Sequence, residues 1–119
     1  MRAVPIAAML AVLATAGPSL AEAERRIDKR SEFINIVEGR KLTYLGVSLR
    51  VFRDGRITGR AFGREVTGSW NWQDGFFCRT LNWGDKPFDR NCQKVDAGDS
   101  GVRFTSDRGT GQTAKLSLR

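Results

Sequence analysis

The chain has 119 residues, with 20 Lys+Arg against 13 Asp+Glu, two Cys, three Trp and no His. That length holds one compact core and excludes a nucleotide-binding domain joined to a separate substrate domain. The absence of His excludes a His-based triad, an imidazole acid or base and a His-ligated zinc.

Residues 1–21 read as a cleavable signal peptide. Arg2 supplies a minimal charged start, residues 3–16 are apolar apart from Pro5 and Thr15, and Gly17-Pro18 breaks the run. Ser19-Leu20-Ala21 places small residues three and one before a cut, which makes Glu22 the new N-terminus; cleavage after Ala23 is the alternative. The run is shorter than the roughly 20 residues a membrane-spanning helix needs, and no second long one follows. The mature form is therefore expected to have no membrane span and to be periplasmic or secreted. Residues 22–30 are mostly charged and read as a flexible segment, and 31–119 as a single domain.

A short helix opens that domain. Ser31 or Asp28 can cap it, Phe33, Ile36 and Val37 share one face, and Gly39 ends it. A helix this short and amphipathic suits the end of a β-structure. From Leu42 the apolar period changes to two. Val47, Leu49 and Val51 alternate with polar neighbours, Asp54-Gly55 signals a hairpin, and Ile57, Gly59 and Ala61 alternate on the way back. Val66, Gly68, Trp70 and Trp72 mark a half-buried strand, Asp74-Gly75 a second hairpin, and 76–83 the return. A polar loop over 84–90 precedes strands at 91–96 and 101–106. Arg108-Gly109-Thr110-Gly111 turns into a last strand with Ala114, Leu116 and Leu118 facing in. About seven short antiparallel strands in a hairpin meander predict an all-β fold, a small up-and-down β-barrel, because closure removes exposed edges. The glycines at 46, 59, 63 and 68 read as bulges or bends where the sheet curls.

Cys78 and Cys92 are an even pair in a short exported chain, which favours a structural disulfide. A redox pair would bring a C-x-x-C spacing, and none is present. Trp70, Trp72, Phe76, Phe77 and Trp83 straddle one hairpin. They read mainly as core, or else as an aromatic mouth for a sugar, lipid or peptide, with Trp83 reaching solvent. Arg79 shares the expected inner face with Phe77, Leu81 and Trp83. A buried guanidinium there needs a carboxylate, several carbonyls or a bound anion. Arg79, Trp83, Asp85 and Lys86 are the candidate ligand-binding residues.

Arginine far outnumbers lysine, and Arg50, Arg56, Arg60 and Arg103 can form an outward stripe for an anionic envelope component or an acidic protein. Export argues against nucleic acid, and the aromatics are not interleaved with basic residues as in a stacking platform. Gly109-Thr110-Gly111 lacks the rest of a dinucleotide fingerprint, and no phosphate loop follows. Asp96, Asp99 and Asp107 do not fit a calcium loop, and Ser69 is not in G-x-S-x-G. No catalytic set, cofactor site or metal site is assembled from these residues.

The stretches Val37-Glu38-Gly39-Arg40, Ile57-Thr58-Gly59-Arg60-Ala61-Phe62-Gly63 and Gly68-Ser69-Trp70-Asn71-Trp72-Gln73-Asp74-Gly75 carry a resemblance. So do Phe77-Cys78-Arg79, Asn91-Cys92-Gln93 and Arg103-Phe104-Thr105-Ser106-Asp107-Arg108-Gly109. Over 33–119 the chain resembles a family of short secreted alphaproteobacterial proteins of uncharacterised function, whose members often bear the label dihydrodipicolinate reductase. The label implies a nicotinamide-dependent oxidoreductase. That enzyme's glycine loop and His-containing catalytic stretch have no counterpart here. The leading expectation is a monomeric, non-catalytic binding or envelope-interaction protein that takes a small ligand, an anionic envelope component or an acidic protein. The alternative is the reductase.

Overall fold

The computed structural model describes residues 23–119; the expected signal peptide, 1–21, lies outside them. Nine strands and one eight-residue helix run in the order β1 (Arg25–Arg26), α1 (Arg30–Val37), β2 (Leu42–Tyr44), β3 (Val47–Val51), β4 (Arg56–Ala61) and β5 (Arg64–Gln73). They continue as β6 (Phe76–Trp83), β7 (Lys86–Ala97), β8 (Gly101–Thr105) and β9 (Thr113–Leu118), with a helical turn at Ser106–Gly109 between the last two. Strands β2 to β9 pair antiparallel with their sequence neighbours, and β9 returns to β2 through Leu118 opposite Leu42. The result is a closed eight-stranded up-and-down barrel with β1 outside it.

The barrel strand missing from the sequence count is β2. The chain reverses at Leu45-Gly46, where Gly46 has φ 73, so a stretch that reads as one long strand is two. Gly46 and Gly63 therefore sit in hairpin turns rather than bulges. Gly59 and Gly68 do lie within strands, where an added Cβ at Gly59 would collide with Ser48 O and one at Gly68 with Thr80 O. Only a residue without a side chain lets neighbouring strands coil this closely.

Nor is 84–90 a loop. Gly84-Asp85 is a two-residue turn, and β7 runs from Lys86 with Trp83 opposite it. The alternation is concealed because Asp89 and Arg90 both stand opposite Thr80, a bulge that shifts the register between Arg79–Asn91 and Leu81–Phe88. Pro87 is tolerated because β8 pairs with β7 only over Lys94–Ala97, which leaves the upper part of β7 with one open edge.

At one end, α1 closes the barrel. Phe33, Ile34 and Val37 are buried, and the Phe33 ring lies 5.3, 5.2, 5.0 and 6.3 Å from those of Trp70, Trp72, Phe77 and Phe104. The helix is tied to the turns at that end: Arg30 donates to Arg53 O at 2.7 Å, and Trp72 Nε1 donates to Asp28 O at 2.8 Å. Neither Ser31 nor Asp28 caps it; Lys29 occupies that position without a side-chain bond, so docking rather than capping holds the first turn.

Residues 25–27, expected to be flexible, are held in place. β7 outruns β6 at the closed end, and β1 pairs with the edge thus exposed, Arg25 opposite Ala97 and Arg26 opposite Asp96. Ile27 follows, fully buried. Glu24 completes the clasp by accepting from Arg103 Nε at 2.9 Å and Nη2 at 3.3 Å, with Lys115 Nζ at 3.5 Å. The Arg103 hydrogen bond outweighs partial burial and holds the Glu24 carboxyl below its ordinary value of 4.5. A carboxylate lowered in the folded state adds stability above its unfolded pKa and loses it as pH falls. Glu24→Gln is expected to melt earlier than the parent at neutral pH, and the gap to close as pH falls below that value. A gap that persists in acid would mean that packing, not charge, anchors this segment.

Candidate functional site

The three hairpin turns at Leu45-Gly46, Phe62-Gly63 and Gly84-Asp85, together with the Ser106–Gly109 turn, lie at the end opposite α1. No element caps this end among the described residues. The buried apolar cluster gathers around Phe33, whereas Val47, Leu49 and Leu81 are only partly buried against it. Three cavities occupy the less filled part. One of about 290 Å³ has Phe77, Phe104 and Ile57 in its walls together with Arg79, Gln93 and Ser106. A second, about 350 Å³, lies among Val66, Leu81, Trp83, Phe62 and Phe88. A third, about 500 Å³, follows the seam where short β2 leaves β9, between Tyr44 and Thr113. All three share Leu49, and the first two also share Leu81. They adjoin one another as lobes around these shared side chains, inside and beside the open end.

Arg79 lies in the middle of β6, opposite Trp70 on β5 and Asn91 on β7. The bulge falls on β7, so β6 keeps its alternation and Arg79 lines the first cavity with Phe77 and Leu81. Its Nη1 donates to Asp89 O at 2.9 Å, a carbonyl the bulge makes available. No ion pair among the described residues involves Arg79, and burial pushes its guanidinium pKa down. On the same wall Gln93 Nε2 donates to Ser106 Oγ at 3.2 Å. Asn91 and Asp107 are joined reciprocally: the amide donates to Asp107 Oδ1 at 2.8 Å, and Asp107 N donates to Asn91 Oδ1 at 3.0 Å. Together these bonds fix the β8–β9 turn against β7, with Asp107 and Arg108 in the left-handed region at φ 55.

Trp83 lines the second cavity, half-buried, with its indole N–H on Ala61 O at 2.7 Å and the Arg64 guanidinium 4.7 Å from its ring centre. Asp85 is almost fully exposed and pairs with Arg64 at 3.1 Å. Lys86 sits over Phe88 at 5.3 Å. Arg79 and Trp83 thus meet through Leu81 and Leu49, whereas Asp85 and Lys86 lie on the rim outside both cavities. Of the basic stripe, Arg50, Arg56 and Arg60 share the outer face of β3 and β4, with Arg56 paired to Asp54; Arg103 stands apart on β8 with Glu24.

Gln93, Ser106 and Leu49 join the site without having stood among its sequence candidates. Gln93 carried a signal, a polar residue in phase with inward Val95 and Ala97, and Phe62 carried another, a large apolar residue at a turn tip. Cys78 and Cys92 form the disulfide, on facing positions of β6 and β7 and on the outer face. It points to an oxidising environment. Arg90 donates to Asn71 Oδ1 at 3.1 Å and Gln73 Oε1 at 2.7 Å on β5, so it spans β6 on the face that carries Cys78.

Comparison with protein-family models, with curated proteins and with solved structures finds no match to this chain. No helix among the described residues is long and apolar enough to cross a membrane. The barrel's own geometry has to carry the functional reading.

Proposed function

We propose that this is an exported, non-catalytic binding protein, periplasmic or secreted, whose barrel admits a small ligand at the end α1 leaves open. The observation that carries the reading is the interior space around Leu49, apolar on most sides, with one half-buried guanidinium in its wall. Eight-stranded barrels are wide enough inside to be filled by side chains or to hold one small ligand. Here Phe33 and its aromatic neighbours fill one end only. The disulfide supports a life outside the reducing cytosol.

Native mass spectrometry of the protein expressed with its own leader and recovered from the periplasm tests this. The expected spectrum has the leader removed, two hydrogens missing for the disulfide and a discrete small adduct. Leu49→Trp, which fills the point where the three cavities meet, is expected to fold and to lose the adduct. A bare spectrum for both proteins would overturn the binding reading. Reduction of the adduct on addition of NADPH, with NADP+ formed in equal amount, would overturn its non-catalytic part.

A further inference from the structure

We infer that the ligand is a single-chain amphipathic anion, an aliphatic chain ending in a carboxylate, with its head against Arg79 and its chain between Leu49, Leu81 and Trp83. The inference rests on the binding reading above and adds the ligand's chemistry.

Polarity along the cavity argues for it. In the first lobe Arg79 is the charged lining residue, and its Nη1 donates to a neutral carbonyl, Asp89 O. A guanidinium offers five donors in a planar fork, so one bond to Asp89 O leaves donors for an occupant. Its neighbours on that wall, Gln93 and Ser106, are neutral, and the Asp107 carboxylate on the rim is held by the Asn91 amide. A carboxylate head answers the uncompensated charge with short charge-assisted bonds. Beyond Leu49 and Leu81 the second lobe carries no charged lining residue and ends at Phe62 and Phe88, 68% and 41% exposed. A space that is cationic in one lobe and uncharged in the next matches a ligand with the same order. A sugar needs polar partners along its length, and a polyanion needs more than one cation; the other cation of the space, Lys115 in the third lobe, is paired with Glu24 at 3.5 Å.

The rim supplies a second, independent observation. Phe62 is held at φ 51, in the left-handed region that bulky residues avoid. Its ring lies across Gly46 of the adjoining turn, so close that a Cβ there would stand 2.7 Å from Phe62 Cδ1. Two turns of the open end thus hold a large apolar side chain at the mouth, at a cost in backbone strain. The two-residue turn itself demands positive φ at Phe62 and Gly63, 51 and 81, a place where Asn or Asp is usual; a phenylalanine there puts an exposed apolar ring at the mouth, where the chain of a ligand can meet it.

Calorimetric titration of the mature, delipidated protein with dodecanoate and with 1-dodecanol, both below their aggregation limits, tests the ligand class. Dodecanoate is expected to bind about tenfold or more tightly than the alcohol, because only the acid makes charge-assisted bonds. Arg79→Gln is expected to weaken the acid about tenfold or more and so to abolish that preference, the alcohol's affinity falling by less, and Leu49→Trp to weaken both. If Arg79→Gln does not fold, Arg79→Lys is the second variant and is expected to keep part of the preference. Equal binding of acid and alcohol by the parent protein would overturn the anionic class and leave the binding reading standing. A preference that survives Arg79→Gln would overturn the assignment of the head to Arg79. If neither probe binds but the native spectrum carries another adduct, the class fails alone; if that spectrum is also bare, both readings fail.

Discussion

Phe33→Ala is expected to cost about 3–5 kcal/mol, the range for removing a fully enclosed aromatic ring. The ring has no exposed surface and contacts four others, Trp70, Trp72, Phe77 and Phe104, from three different strands. Those side chains converge on the helix and also on one another, Trp70 with Phe77 at 5.6 Å and Phe77 with Phe104 at 5.3 Å. The gap cannot collapse, because closure fixes the barrel's diameter. Against a total stability of about 5–15 kcal/mol, the variant falls near the edge of folding at physiological temperature. Urea titration followed by tryptophan fluorescence measures the loss. A cost below about 1 kcal/mol would mean that α1 rests on the barrel without plugging it. Because Phe77 and Phe104 also line the first cavity, the same substitution is expected to enlarge that cavity from below.

The second large effect is removal of the disulfide. Cys78→Ala with Cys92→Ala opens a loop of 14 residues' separation, which should lower stability by about 3 kcal/mol in the chain-entropy account. For a domain of this size that corresponds to a fall in melting temperature of roughly 10–20 °C. The fold is expected to survive, since the β6–β7 ladder pairs on both sides of the bridge, Phe77 with Gln93 and Arg79 with Asn91. Circular dichroism should show an unchanged strand signal at low temperature and an earlier melt. Reduced parent protein should behave in the same way. A variant as stable as the parent would place the ordering of β7 with Arg90 and the bulge instead of with the bridge.

The barrel class was legible because period-two alternation and the Asp-Gly turns are local signals. Asp74-Gly75 adopts positive φ at both positions, 54 and 84, as a two-residue hairpin turn demands. Alternation likewise put Arg79 inside. It failed at Asp89-Arg90, where a bulge breaks the period, and at Leu45-Gly46, where a three-residue strand is too short to show one. β1 was illegible for another reason. Two arginines carry no strand pattern, and they form one because β7 outruns β6 and leaves an edge to be paired.

The candidate site divides along the same line. Trp83 and Arg79 were found from one strand's alternation, but their separation into two lobes joined at Leu49 and Leu81 depends on how the sheet closes. Asp85 and Lys86, next to Trp83 in sequence, point to rim contacts with Arg64 and Phe88 because the turn carries them past the cavity. Gln93 and Ser106 lie 13 residues apart and meet only across the β7–β8 pairing.

The alternation, the two Asp-Gly hairpins, the pairing of the two cysteines and the inward charge on β6 are legible from the chain alone. Each of these is set by a residue and its near neighbours. That the helix closes one end and leaves the other open, and that Arg79 faces space without an ion-pair partner among the described residues, emerge only when the sheet closes. Those depend on which side chains arrive from distant strands, and burial and pairing across a closed barrel are properties of the whole sheet.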